Sequence, residues 1–157
     1  MEDRAERLRL LVRDSDDLAV ASTLLQDALI PGADLRFIPR ERQFILIANR
    51  FCWETPALAN IASSDGKPVH ERRLCALRVA EVLSAQRSNW PQPHEDALFN
   101  LLALSHGDMA EDADGKAWLQ FDFSGGARLR LAVERLEMLV ADLEAGHFTS
   151  LRPTHDL

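Results

Sequence analysis

The segment Gln43-Phe44-Ile45-Leu46-Ile47-Ala48 has five apolar residues in succession. On a strand, neighbouring side chains point to opposite faces, so this one is apolar on both. A strand of that kind needs cover on both sides, which places it inside a sheet and not at its edge. Leu35-Arg36-Phe37-Ile38 precedes it as a second strand, with Pro39-Arg40-Glu41-Arg42 between. Pairing Ile38 with Gln43 sets Phe37 opposite Phe44 and Leu35 opposite Leu46. Like faces like, so the register is self-consistent. Arg-Glu at the centre is poor for a two-residue primed turn, and a four-residue loop fits better.

The remaining elements follow from period and punctuation. Leu8 to Arg13 reads as a short strand. Asp14-Ser15-Asp16-Asp17 supplies an N-cap and first-turn acids. Leu18, Ala21, Leu25 and then Ala28 or Leu29 follow at helical spacing, which predicts a helix of about 14 residues ended by Pro31-Gly32. Residues 54–71 read as a surface loop with a helical turn around Leu58–Ile61. Leu74 to Gln86 fits either a strand bulged near Glu81 or a helix, and the strand is the better match. Leu98 to Ser105 is a strongly apolar strand, and His106 to Lys116 an acidic loop. Trp118–Phe123 and Arg128–Glu134 form a hairpin. A loop of Gly125-Gly126-Ala127 sets Phe123 opposite Leu129, Phe121 opposite Leu131 and Leu119 opposite Val133, with a left-handed glycine. A last helix carries Leu136, Leu139, Val140 and Leu143 inward and stops at Gly146. The tail 148–157 reads as poorly ordered. Phe44, Leu46, Leu101, Phe121, Leu131 and Leu139 are the expected core.

These elements run β-α-β-β-β-β-β-β-α. The fold class is α+β, a single domain over 1–157 with a mostly antiparallel sheet of about seven strands. One helix follows the first strand and another ends the chain. That outline is similar to a pleckstrin-homology-like barrel, an analogy that carries no function. A chain of 157 residues can bury enough surface to fold without disulfide or metal. The net charge of −7 argues against general nucleic-acid binding. The opening Met1-Glu2-Asp3-Arg4 lacks the pattern of a signal peptide, and no run of about 20 apolar residues exists to span a membrane. Cys52 and Cys75 both sit among apolar residues. Two buried free thiols in a reducing cytoplasm is the expected arrangement.

Motifs for chemistry are sparse. His70, His94, His106, His147 and His155 include no i, i+4 pair on a helix, so no metal site is expected. Asp112-Ala113-Asp114-Gly115 resembles part of a calcium loop, but Ala110 and Phe121 would fall at its first and twelfth positions. Gly125-Gly126 leads into a strand, unlike a phosphate-binding loop. Ser105-His106 and Asp108 are adjacent in sequence, which does not make a triad. No cofactor is implied.

Charge is distributed unevenly. Residues 36–87 hold nine basic and five acidic side chains, and the rest of the chain holds nine basic and twenty acidic ones. Arg40, Arg42, Arg50, Arg72, Arg73 and Arg78 lie in this middle segment, with Trp53 among them. Arginine makes planar bidentate contacts with carboxylate or phosphate and stacks on aromatic rings. These seven residues are the candidate binding site for an acidic protein partner or an anionic small molecule. The rival arrangement pairs the arginines with the chain's own acids. A non-enzymatic cytoplasmic binding or adaptor domain is the favoured function. The alternative is an enzyme or small-ligand protein with an arginine/histidine pocket. Trp118 is expected to start a core strand, and Trp53 and Trp90 to flank loops.

Pro39-Arg40-Glu41-Arg42-Gln43-Phe44 and Asn49-Arg50-Phe51-Cys52-Trp53-Glu54 resemble a bacterial family of small domains with no assigned function. Arg72-Arg73, Ala76-Leu77-Arg78, Phe123-Ser124-Gly125-Gly126, Arg130-Leu131 and Pro153-Thr154-His155 fit the same family. The chain departs from it at Gly146-His147-Phe148, where a proline and a tryptophan are expected. The resemblance spans nearly the whole chain and implies no reaction, cofactor or ligand.

Overall fold

The structure, a computed structural model, describes residues 7–52, 58–62, 68–109, 116–143 and 147–149; in 58–62, 68–70 and 147–149 it describes the backbone alone. The chain begins with β1 (Arg9–Val12) and α1 (Ser15–Leu24). Asp14 caps the helix, its side chain accepting the Asp17 backbone N–H at 2.8 Å. Next come β2 (Leu29–Pro31), β3 (Leu35–Ile38), β4 (Gln43–Phe51) and β5 (Leu58–Ala62). They are followed by β6 (Pro68–Val79), β7 (Val82–Ser88), β8 (Leu98–Asp108) and β9 (Ala117–Phe123). β10 (Arg128–Val133), β11 (Met138–Asp142) and β12 (His147–Thr149) end the described chain.

All strand pairs are antiparallel, and the main path of the sheet runs β1-β11-β6-β4-β2-β8-β9-β10-β7. β3 adds to β4, and β5 and β12 add to β6. The path is open, with β1 and β7 at its ends. It nevertheless bends back on itself. Only Ala80 and Glu81 separate β6 from β7, with Glu81 left-handed at φ 59°. β8 pairs with β2 through Leu98, Phe99 and Asn100 and with β9 beyond them, so one strand serves both halves. Phe44 of β4 and Phe121 of β9 meet across the interior at 5.8 Å. Between the halves lie Leu46, Leu77, Leu101, Leu119, Leu131 and Met138, all essentially sealed from solvent. Val12, Leu18, Ala21 and Leu25 join the same core, so α1 packs on its inner side.

The β3–β4 hairpin has the expected register, with Ile38 opposite Gln43, Phe37 opposite Phe44 and Leu35 opposite Leu46. Its four-residue loop is a 3-10 turn closed by Arg42 at φ 55°. Other expectations are corrected. Among the described residues the sheet has twelve strands, not about seven, and it is not a closed pleckstrin-homology-like barrel. The expected last helix is β11. Leu136, Leu139, Val140 and Leu143 fit a helical stripe, but Met138, Val140 and Asp142 alternate as a strand. Hydrogen bonding to β1 on one side and β6 on the other selects the strand. Leu139 therefore faces outward and leaves the core, while the other five expected core residues are buried.

The first helix stops at Leu24, and Leu29–Pro31 is a strand. The turn expected at Leu58–Ile61 is β5. Leu74 to Gln86 is the end of β6, a two-residue break and β7. In the β9–β10 hairpin Leu129 stands opposite Phe121 and Leu131 opposite Leu119. That is a shift of two residues from expectation, which keeps every side chain on its face. Its loop is Ser124-Gly125-Gly126, with Gly125 at φ 80°. Phe148 and Thr149, expected in the tail, belong to β12; residues 150–157 and the calcium-like 110–115 lie outside the described residues.

α1, at ten residues, is the only α-helix among the described residues, and no helix is long and apolar enough to cross a membrane. Trp118 starts a strand but turns outward, lying against Gly107 with the Arg130 guanidinium 4.2 Å above its ring. Trp90 anchors its loop by stacking on His94, tilting against Phe99 and meeting Phe123 edge-on.

Candidate functional site

Two of the expected site arginines are sealed inside the protein. Arg50 is 0% exposed and Arg73 1%. They converge on Asp142 of β11. Arg50 donates from Nε to Oδ1 at 2.8 Å and from Nη2 to Oδ2 at 3.0 Å. Arg73 donates from Nη1 to Oδ2 at 3.2 Å and from Nε to Glu71 at 2.7 Å. The Leu8 backbone N–H adds a bond to Asp142 Oδ2 at 2.8 Å. Sheet register produces this cluster. Arg50 pairs with Arg73 across β4–β6, and Cys75 with Asp142 across β6–β11, so inward positions on three adjacent strands meet. Burial raises the Asp142 pKa, but hydrogen bonds from Arg50 and Leu8 and the neighbouring positive charge outweigh it, and the net shift is downward. Arg73 is held above its ordinary value: desolvation opposes the charge, and the bonds to Glu71 and Asp142 overcome that. The four charges balance and are closed to ligands, so the cluster holds three strands together.

Cys52 and Cys75 are free, and both are 0% exposed. Burial pushes the Cys75 thiol up to about 12, against the pull of Arg50. A buried thiol at that value is inert. Native protein treated with iodoacetamide at pH 8 is therefore expected to stay unlabelled. In urea without reductant it should gain two alkyl groups by mass spectrometry. A mass two hydrogens lighter with no label would mean a disulfide.

The remaining expected residues separate. Arg72 is half-buried and stacks over Phe51, 5.2 Å from the ring centroid. Arg40 and Arg42 are exposed on the β3–β4 loop, where Arg42 reaches Glu134 at 3.4 Å. Trp53 lies outside the described residues. Arg78 is exposed on the outer face of β6, away from the buried cluster. The six described residues of the seven do not form one surface.

Arg78 instead belongs to a group that includes residues outside the middle segment. On the outer face, Leu11 of β1 stands beside Leu139 of β11, Arg78 of β6, Ile45 of β4 and Arg36 of β3, in one row across five strands. The next row is Arg9, Ala141, Ala76 and Ile47. Leu11 is 42% exposed, and Leu139, Ala141, Ala76, Ile45 and Ile47 are half-buried. A depression of about 370 Å³ opens there, lined by Arg9, Leu11, Arg13, Arg78, Glu137 and Leu139. At ~3.4 Å per residue Arg9 and Arg13 lie roughly 14 Å apart, and Arg78 stands two strands, or roughly 10 Å, from Leu11. Among the described residues no carboxylate pairs with Arg9, Arg13 or Arg78. Arg9 and Arg13 were missed by a window drawn at residues 36–87. Their signal is the alternation Arg9-Leu10-Leu11-Val12-Arg13, which puts Arg9, Leu11 and Arg13 on one face.

Comparison with known proteins adds a family and no chemistry. A family model described as a protein of unknown function (DUF2948) matches residues 8–155, so the chain belongs to that family. No curated protein and no solved structure matches it.

Proposed function

We propose that this member of the DUF2948 family is a cytoplasmic, non-enzymatic binding domain whose outer β1-β11-β6-β4 face takes an acidic protein partner. One observation carries the reading: among the described residues Arg9, Arg13 and Arg78 make no ion pair, and they stand around a partly exposed apolar band with Glu137 at its rim, in a chain of net charge −7. Elsewhere the acids outnumber the bases, so a local positive field steers and selects an acidic surface. The apolar band supplies the desolvated centre that binding energy needs. A second copy of the chain would set arginine against arginine across the same face, which disfavours self-association there. Two buried free thiols suit a reducing compartment, and the family resemblance suits a bacterial source.

The test is selection of phage-displayed random peptides on the purified protein. Selected peptides should be enriched in Asp and Glu over the input library. The double variant Arg9→Glu/Arg78→Glu should lose that enrichment with Tm within about 2 °C of wild type, because both side chains are exposed. Selection with no acidic bias, or bias unchanged in the double variant, would overturn the reading.

A further inference from the structure

Resting on that reading of the face, we infer that its occupant is an amphipathic α-helix with an apolar stripe and acidic ends. The floor of the band is made of small residues. Ala141 of β11 and Ala76 of β6 are neighbours in one row, with Leu139 and Ile45 standing higher in the next. Bulky side chains from above fit between them. β11 and β6 are interior strands, each bonded to a neighbour on both sides. A segment lying over them gets no main-chain partner from the sheet. An extended peptide placed there would bury its own N–H and C=O groups unsatisfied, which costs several kcal/mol. A helix satisfies its backbone internally and presents one apolar stripe, the same solution by which helices cover sheets within domains.

The charges set its reach. Arg9 and Arg13 mark the β1 side of the face, and Arg36 marks the β3 side. Five strands at ~4.8 Å spacing span roughly 19 Å, which is about 13 residues of helix at 1.5 Å each. Acidic residues near both ends of such a helix meet the two arginine groups while leucine-like residues cross Ala76 and Ala141. The α-helix described in the chain, α1, packs into the core and does not serve this face.

The probe is a fluorescent, N-acetylated 16-residue peptide with leucine at helical i, i+3, i+4 and i+7 positions and glutamate at both ends. A second peptide has identical composition in an order that forms no stripe. Anisotropy should show the striped peptide binding at least about tenfold more tightly, with helical circular dichroism appearing on binding. Arg78→Glu, at an exposed site, should weaken it about tenfold. Ala76→Glu, which fills the floor, should do the same, with Arg78→Glu as the safeguard should Ala76→Glu misfold. Equal binding of the two peptides would overturn the helix while leaving an acid-binding face, as judged by the peptide selection. Binding of neither peptide, or Arg78-dependent capture by phosphatidylglycerol vesicles without peptide binding, would also overturn it.

Discussion

Asp142→Ala is expected to destabilise the protein by about 3–5 kcal/mol, the usual effect of removing one partner from a buried ion pair. The residue is shared: Arg50 donates two bonds to it, Arg73 one and the Leu8 backbone a fourth. Its loss takes from two sealed arginines the carboxylate they share and unties β1 from β11 at one end. Domains of this size are stable by only about 5–15 kcal/mol, so urea unfolding followed by circular dichroism should show a large drop in midpoint. A loss below about 1 kcal/mol would mean that water reaches the cluster and screens its charges. The cluster also makes stability depend on acid. The native carboxyl lies below its ordinary value of 3.8. The folded state thus binds the proton more weakly than the unfolded chain does. Its contribution is complete above pH 3.8 and is lost as pH falls through the lower native value. Melting temperatures between pH 6 and pH 2.5 should fall more steeply for wild type than for Asp142→Asn.

Gly32→Ala is the second large effect. A Cβ built on Gly32 would stand 1.9 Å from the backbone oxygen of His94 and 3.3 Å from that of Ala97. The glycine N–H donates to Ala97 O at 2.8 Å, so this approach is a bonded contact between the turn after β2 and the turn before β8. No rotamer change relieves a clash between a methyl group and backbone. Either the contact opens or β2 shifts against β8, and overpacking of this kind costs about 3 kcal/mol or more. Calorimetry should show Tm falling by roughly 6 °C or more. A fall under 2 °C would mean that the two turns separate freely. The same glycine read as a helix stop in the sequence. Its actual constraint comes from a segment more than sixty residues away.

Legibility followed the range of the interactions. The β3–β4 hairpin was readable to the residue because its partners are neighbours in sequence and only one register pairs Phe37 with Phe44. The β9–β10 hairpin was readable in face but not in register, since a shift of two residues leaves apolar opposite apolar. The site was least readable. For Arg50 and Arg73 the sequence left open a binding face or pairing with the chain's own acids, and the second holds; their shared carboxylate, Asp142, was not identifiable because it was assigned to a helix. Once β11 is a strand, Asp142 points inward beside them.

Alternation of apolar residues, the Asp14 cap and the turn residues are local signals. They were enough for a mostly antiparallel sheet, one N-terminal helix, inward Phe44, Leu46, Phe121 and Leu131, and two free thiols. Residues 136–143 carry a helical stripe and a strand alternation at once, and local preference is too weak to choose between them. The choice fell to backbone groups of β1 and β6, which need a partner strand between them. That one pairing buries Asp142 against Arg50 and Arg73, turns Leu139 outward, and sets Arg9, Arg13 and Arg78 around an open apolar face. Burial and charge pairing depend on which distant strands become neighbours, and no window of sequence contains that information.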